Sequence, residues 1–279
     1  MRIYPVLILM FITVICIQQP NLTSPIFLQR LVGNLLMLQD FKSGKPHVIV
    51  APLFSSALWS LHYQWWHYML YYPVNHRFRK QDQGRMVGAV ALLCTVLYCF
   101  HANAVLRILI YFPVWWAGVE MARSFLKHQT VRPRDMMASA LFLGAIASLL
   151  LLNAGVFIAQ GNLYSFGIHP ILEVRHFIAA ILTLGISLIW QHYQWLGFGI
   201  LKFGTRFAPI SYSLYIAHQP LLAQSQYLGF IDNVVLEKTL YLIVLLTFCY
   251  VAEVKLSPFL SKKLQRTPTR IRPARAVSK

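Results

Sequence analysis

The segment Leu58-Trp59-Ser60-Leu61-His62-Tyr63-Gln64-Trp65-Trp66-His67-Tyr68 sets a hydroxyl, an amide and two imidazoles into an apolar, aromatic run. On a helix turning about 100° per residue, Ser60, Gln64, His67 and Tyr71 fall on one narrow stripe, while His62 lies about 160° from Gln64. His62 and Gln64 therefore cannot easily act on the same atom. Four polar groups on one stripe of a membrane helix mark a functional suspect. An aromatic belt with a few satisfied polar groups has the same composition. A second segment, Ile210-Ser211-Tyr212-Ser213-Leu214-Tyr215-Ile216-Ala217-His218-Gln219-Pro220, spaces Ser211, Tyr215 and His218 at i, i+4 and i+7, again one helical face. That face reads equally as a positioning device or as a hydrogen-bonded packing stripe between helices. Pro220 can kink the helix and free a carbonyl beside His218. The chain has no phosphate loop, HExxH, GxSxG or paired-carboxylate signature, so nucleotide hydrolysis and zinc proteolysis have no support.

The elements that position these residues must lie in a bilayer. The 279 residues are 57% hydrophobic, 14% aromatic and only 12% charged, which excludes an ordinary soluble domain. Spans of about 20 mostly apolar residues are expected near 3–19, 51–73, 86–101, 104–122, 136–159, 174–194, 208–226 and 235–256, an all-α polytopic bundle of about eight helices. The domain expected is 1–260, followed by a basic, disordered tail at 261–279. A net charge of +17 suggests nucleic acid at first sight, but the Lys and Arg sit between apolar runs, so phosphate-bearing lipid is the expected partner and nucleic acid is not. Arg77, Arg79, Lys80 and Arg85 follow the second run, Arg123, Lys127, Arg132 and Arg134 the fourth, and Lys202 and Arg206 the sixth. The connections near 102–103, 160–173 and 227–234 carry no Lys or Arg, so both termini are expected to be cytoplasmic.

In lipid, a polar side chain inside a span is costly and by default a functional suspect. Arg107 and the set Glu173, Arg175 and His176 can gather around an external substrate, and snorkelling to the interface explains each equally well. Glu120 and Arg123 have the spacing of a structural i, i+3 pair. The connection 20–50 contains Arg30, Lys42 and Lys45 and a short apolar stretch, Ile26 to Leu38, which reads as an interfacial or re-entrant helix or as a plain long loop. Cys16, Cys94, Cys99 and Cys249 all fall in apolar runs without metal-ligand spacing and are expected to be small core residues; no metal site is expected. Arg2 leads into an apolar run without a small-residue cleavage site, so a retained span is expected there rather than a signal peptide.

Taken in order, several segments resemble the acyltransferase 3 family of integral membrane O-acyltransferases. Gly33-Asn34-Leu35-Leu36-Met37-Leu38-Gln39 looks like its NLLFLQ segment, the run Leu58 to Tyr68 is similar to its LWSLSVEWQFY motif, and Ile210 to Pro220 resembles ISYSLYLWHxP. Ala252-Glu253-Val254-Lys255-Leu256-Ser257-Pro258 looks like a spaced version of the closing IExP element. The match runs over almost the whole chain. Two departures accompany it. Gln64 stands where the family has a glutamate, so the amide keeps hydrogen bonding but cannot take up a proton at neutral pH. Arg2-Ile3-Tyr4-Pro5 resembles the end of the family's RRxxRIxP segment, which opens its third span. By that resemblance the first two helices, with the arginine and the histidine regarded as catalytic base, have no counterpart here.

The resemblance implies a membrane O-acyltransferase that moves an acyl group, acetyl being the expected one, from acyl-CoA to a hydroxyl of a carbohydrate or cell-envelope glycan, in a bacterial inner membrane. No bound cofactor is expected, because acyl-CoA is a co-substrate. Trp59, Ser60, Gln64, His67, Tyr215 and His218 are the expected positioning or substrate-binding groups, with the catalytic base unassigned. The alternatives are an inactive remnant of such an enzyme, complete only with a partner chain that supplies the missing helices, and a glycolipid-binding or transporter-like membrane protein. The basic inner loops suit an anionic CoA donor, and they suit the positive-inside rule equally well.

Overall fold

The computed structural model describes residues 3–42, 44–162, 165–193, 204–223 and 226–260. Every regular element among them is helical, as expected, and the one β-bridge, Gln39 to Val50, is isolated. Chain contacts separate two units, one made of 1–21 with 200–279 and the other of 22–199. The expected tail at 261–279 lies outside the described residues.

Helix α1 (Ile3–Gln18) belongs to the smaller unit, and the larger unit begins with α2 (Pro25–Leu35). It continues through α3 (Leu58–Arg77), α4 (Gln83–Phe100), α5 (Ala104–His128), α6 (Met137–Ala159) and α7 (Ile171–Tyr193). α5 starts on an Asn103 cap whose side chain accepts from the Leu106 N–H, and ends where Gln129 turns left-handed at φ 57°. The α4–α7 core is built from Tyr98, Ile110, Leu143, Ile146, Leu150 and Phe177, all 1% exposed or less. Large apolar side chains such as Leu141, Leu152 and Ile186 point outward, as expected where lipid is the solvent. In that solvent, close packing rather than apolar burial holds helices together. Gly88 shows this directly, since a Cβ there would sit 2.2 Å from the Phe142 ring, so only glycine lets α4 and α6 approach so closely.

Between α2 and α3 the chain is irregular but tied down. Asn34 Oδ1 accepts from the Leu53 N–H at 3.0 Å, and its amide donates to the Arg30 and Ala51 carbonyls. Gln39 donates to the Leu58 carbonyl at 3.2 Å, joining this segment to the start of α3. Within the connection 20–50, the chain forms a helix over Pro25–Leu35 and no regular element over the rest of its described residues.

In the smaller unit, α1 buries Val6, Leu7, Met10 and Val14. Cys16 falls about 150° round the helix from that face, and is exposed, whereas Cys94 and Cys249 are buried and Cys99 partly so. The expected span 208–226 is not one helix. A 3₁₀ turn (Thr205–Ile210) leads into α8 (Ser211–His218), and a π turn (Gln219–Ala223) follows. Pro220 lacks the N–H a regular turn needs, and the wider π turn takes the place of the simple kink expected there. α9 (Val234–Tyr250) runs into a second π turn (Val251–Leu256) that buries Glu253.

Five helical stretches among the described residues are long and apolar enough to cross a membrane: Gln83–Phe100, Ala104–His128, Pro133–Ala159, Ile171–Gln191 and Val234–Leu260. α1 is apolar but shorter. α3 has 20 residues, but its Ser, His, Gln and Asn content makes it less apolar than those five.

Candidate active site

The α3 stripe opens onto a cavity of about 400 Å³ in the larger unit. Trp59, Ser60, Tyr63, Gln64 and His67 line it from α3, Tyr111, Val114 and Trp115 from α5, and His176 from α7. The helical phase expected from the sequence holds here, because Ser60, Gln64 and His67 share the cavity while His62 points away, its Nδ1 2.6 Å from the Met37 carbonyl. Tyr71, the fourth member of the stripe, packs on Trp115 and Trp116 instead.

Each wall has a distinct chemistry. The indole of Trp59 and the imidazole of His176 stack nearly parallel, 9° apart with centroids at 5.8 Å. Lys45 Nζ lies over the same indole at 4.5 Å, a cation–π contact that holds the ring in place. His176 Nδ1 is 2.8 Å from the Tyr111 hydroxyl. His67 Nε2 is 3.0 Å from the Ile108 carbonyl. A carbonyl only accepts, so His67 carries its proton on Nε2 and its Nδ1 is the basic atom. Gln64 donates to the Tyr68 hydroxyl at 3.1 Å.

Behind the cavity lies a buried charged network. Asp40 takes Lys45 Nζ at 2.8 Å on one oxygen, and the Tyr63 hydroxyl at 2.6 Å and Arg107 Nη1 at 3.2 Å on the other. Arg107 also donates from Nε to the Tyr98 hydroxyl at 3.1 Å and from Nη2 to the Pro46 carbonyl. Tyr98 donates to Glu173 at 2.8 Å, and His169 Nδ1 donates to the other Glu173 oxygen at 3.1 Å. Two carboxylates thus face an ammonium and a guanidinium, and Arg107 and Glu173 are both 0% exposed. In so dry a site the charges persist only because each is paired and hydrogen-bonded. Burial alone would raise the Asp40 carboxyl, but the Lys45 ammonium and the hydrogen bonds from Lys45, Tyr63 and the Phe41 N–H outweigh it and hold the pKa below its ordinary value. For Lys45 burial is the stronger influence, and it draws the ammonium below its ordinary value despite Asp40.

Two readings of isolated charges are corrected by this geometry. Arg107 and Glu173 do not snorkel; they are buried partners through Tyr98, and only Arg175 of that group is exposed. Glu120 and Arg123 also look elsewhere than to each other. Glu120 accepts from Ser139 on α6 at 2.5 Å, and Arg123 donates to Gln83 at the start of α4 at 2.8 Å.

Of the six expected site residues, the cavity gathers Trp59, Ser60, Gln64 and His67. Tyr215 and His218 belong to the smaller unit, where His218 Nδ1 is 2.7 Å from the Tyr215 carbonyl on α8. Sequence reasoning passed over Tyr63, Tyr111 and Trp115 and weighed His176 lightly. A signal was available, since Arg107, Tyr111 and Trp115 recur every four residues, and His169, Glu173 and His176 are spaced by four and three.

A family model described as an acyltransferase domain matches residues 1–254. No curated protein and no solved structure matches the chain.

Proposed function

Because the chain belongs to the acyltransferase 3 family, its match covering residues 1–254, we propose that this integral membrane protein moves an acyl group, acetyl in the simplest case, from acyl-CoA to a hydroxyl of a carbohydrate or cell-envelope glycan. The observation that supports this reading best is the cavity itself: flat aromatic walls from Trp59, Trp115 and Tyr111, with the His176–Tyr111 pair at one edge. Sugar rings present C–H faces to aromatic planes and hydroxyls to polar edges, and such a cavity offers both. In the proposed step, the His176 Nδ1–H stays hydrogen-bonded to the Tyr111 oxygen, which leaves the Nε2 lone pair to take the proton of the acceptor hydroxyl. The freed oxygen attacks the thioester carbonyl carbon, the C–S bond breaks, and CoA leaves as thiolate, which takes the proton back from His176 directly or through water and regenerates the base. The Gln64 amide can donate to the oxygen that becomes negative, a role an amide fills without gaining or losing a proton. The charged network fixes Trp59 and Tyr63 from behind through Lys45.

The setting proposed is a bacterial inner membrane with both termini cytoplasmic, the donor arriving on the basic side and the glycan on the other. The test is mass spectrometry of O-acyl esters on envelope glycan from cells that carry the native chain, a deletion, or His176→Gln. The deletion should lose the ester, and His176→Gln should lower its rate of formation by roughly 10²–10⁴-fold, the usual cost of losing a general base. A deletion strain with unchanged esters would overturn the acyl-transfer reading. Full activity in the glutamine variant would remove His176 alone.

A further inference from the structure

Away from that cavity, a second recess of about 710 Å³ lies between α4 and α6. Its floor and sides are apolar, with Ala89 and Leu92 from α4 and Leu141 and Phe142 from α6. Arg85, in the first turn of α4, and Arg134, in the turn that precedes α6, also line it. Both cations thus stand at one end of two adjacent helices, and the apolar residues all lie further along them. Gly88 admits the Phe142 ring against the α4 backbone, which fixes that ring where it lines the recess.

The two guanidiniums have no protein partner among the described residues. The neighbouring acid is engaged elsewhere, because Asp135 accepts from Ser124 at 2.6 Å and lies 3.8 Å from His128. Two unpaired guanidiniums at the mouth of an apolar recess complement a ligand with a phosphate at one end and a hydrocarbon chain at the other. From Arg85 to Leu92, and from Arg134 to Phe142, the helices advance roughly 10–12 Å. That is most of one leaflet's hydrocarbon depth, about 15 Å.

We propose that the α4–α6 recess is a seat for a two-chain anionic glycerophospholipid, with its phosphate between Arg85 and Arg134 and one acyl chain lying along Ala89, Leu92, Leu141 and Phe142. The site is separate from the aromatic cavity and does not depend on the acyl-transfer reading. Charge complementarity selects an anionic headgroup over a zwitterionic one, because the choline of phosphatidylcholine would bring a third cation to the pair.

Native mass spectrometry of the full chain, released from mild detergent with dioleoylphosphatidylglycerol, dioleoylphosphatidylcholine or CoA, tests this. At about fivefold per arginine, phosphatidylglycerol should be retained roughly 25-fold better than phosphatidylcholine. Arg85→Gln and Arg134→Gln should each remove about fivefold of that preference and the double variant all of it. Ala89→Trp, which fills the recess and leaves both arginines in place, should lower retention of both lipids; it tests the apolar half even if an arginine variant misfolds. Equal retention of the two lipids by the native chain would overturn the proposal, as would an Ala89→Trp variant that keeps its lipid. Displacement of phosphatidylglycerol by CoA would assign the arginines to the nucleotide instead and overturn it as well.

Discussion

Arg107→Met offers a sharp test of the buried network. The guanidinium is 0% exposed and, among the described residues, is the side chain that bonds Asp40, the Pro46 carbonyl and Tyr98 together. Methionine keeps an unbranched apolar stem but leaves Asp40 paired with Lys45 alone and Glu173 held by Tyr98 and His169 without the guanidinium. Removing one partner from a buried pair costs about 3–5 kcal/mol, which for a unit of this size is a fall in Tm of roughly 6–20 °C. The charge count predicts more than a loss. With Glu173→Gln added, Asp40 and Lys45 are again balanced one to one, so the double variant should be less destabilised than the sum of the singles. Thermal unfolding of the purified chain in detergent, with all four members of the cycle, measures this. Additivity within about 0.5 kcal/mol would refute the coupling through Tyr98, and a Tm for Arg107→Met equal to the native value would refute the network's importance altogether.

Four further outcomes follow from named contacts. Asp40 has its folded pKa held below its ordinary value. Its contribution to stability is therefore complete above about pH 4, the ordinary unfolded value, and is lost as pH falls through the lower folded value; Asp40→Asn should flatten this acid limb in a Tm-versus-pH series, and an unchanged limb would count against the assignment. Gly88→Val should cost about 1–3 kcal/mol by overpacking, and Phe142→Ala should recover part of it, because the two positions compete for one space; no recovery in the double variant would mean the strain lies elsewhere. Gln64→Leu should reduce acyl transfer while Gln64→Glu retains some, and equal transfer by the leucine and native chains would remove the side chain from the mechanism. Reporter fusions at Gly84 and Gly161 should report opposite sides of the membrane, since α4, α5 and α6 lie between them; the same side for both would break the proposed topology.

The parts of the site that were legible in the sequence are those whose geometry is local. Helical phase alone places Ser60, Gln64 and His67 together and turns His62 away, and the cavity and the Met37 contact have that arrangement. The bonds that join the network into one were not legible, because they link residues far apart in the chain. Asp40 and Arg107 are separated by 67 positions, and Tyr98 and Glu173 by 75. No periodicity links such pairs, and an isolated Arg107 near a helix start looks the same whether it snorkels or pairs. The segment 36–57 was illegible for a related reason: side chains such as Asn34 and Gln39 hold it by satisfying backbone groups, and no repeating pattern announces that. In the smaller unit, the Ser211, Tyr215 and His218 spacing gave the helix, but Pro220 and the π turn cut the expected span into short pieces.

The central claim is that the aromatic cavity of α3, α5 and α7 receives the acceptor of acyl transfer. Its most direct measurement is the rate of labelled acetyl transfer from acetyl-CoA to glycan in membranes, with acceptor concentration varied, for the native chain, Trp59→Ala and His176→Gln. If the cavity binds the acceptor, Trp59→Ala should raise the acceptor KM with a smaller effect on kcat, and His176→Gln should lower kcat with a smaller effect on KM. Native values of both constants in both variants, beside a native chain that transfers acetyl, would contradict the account.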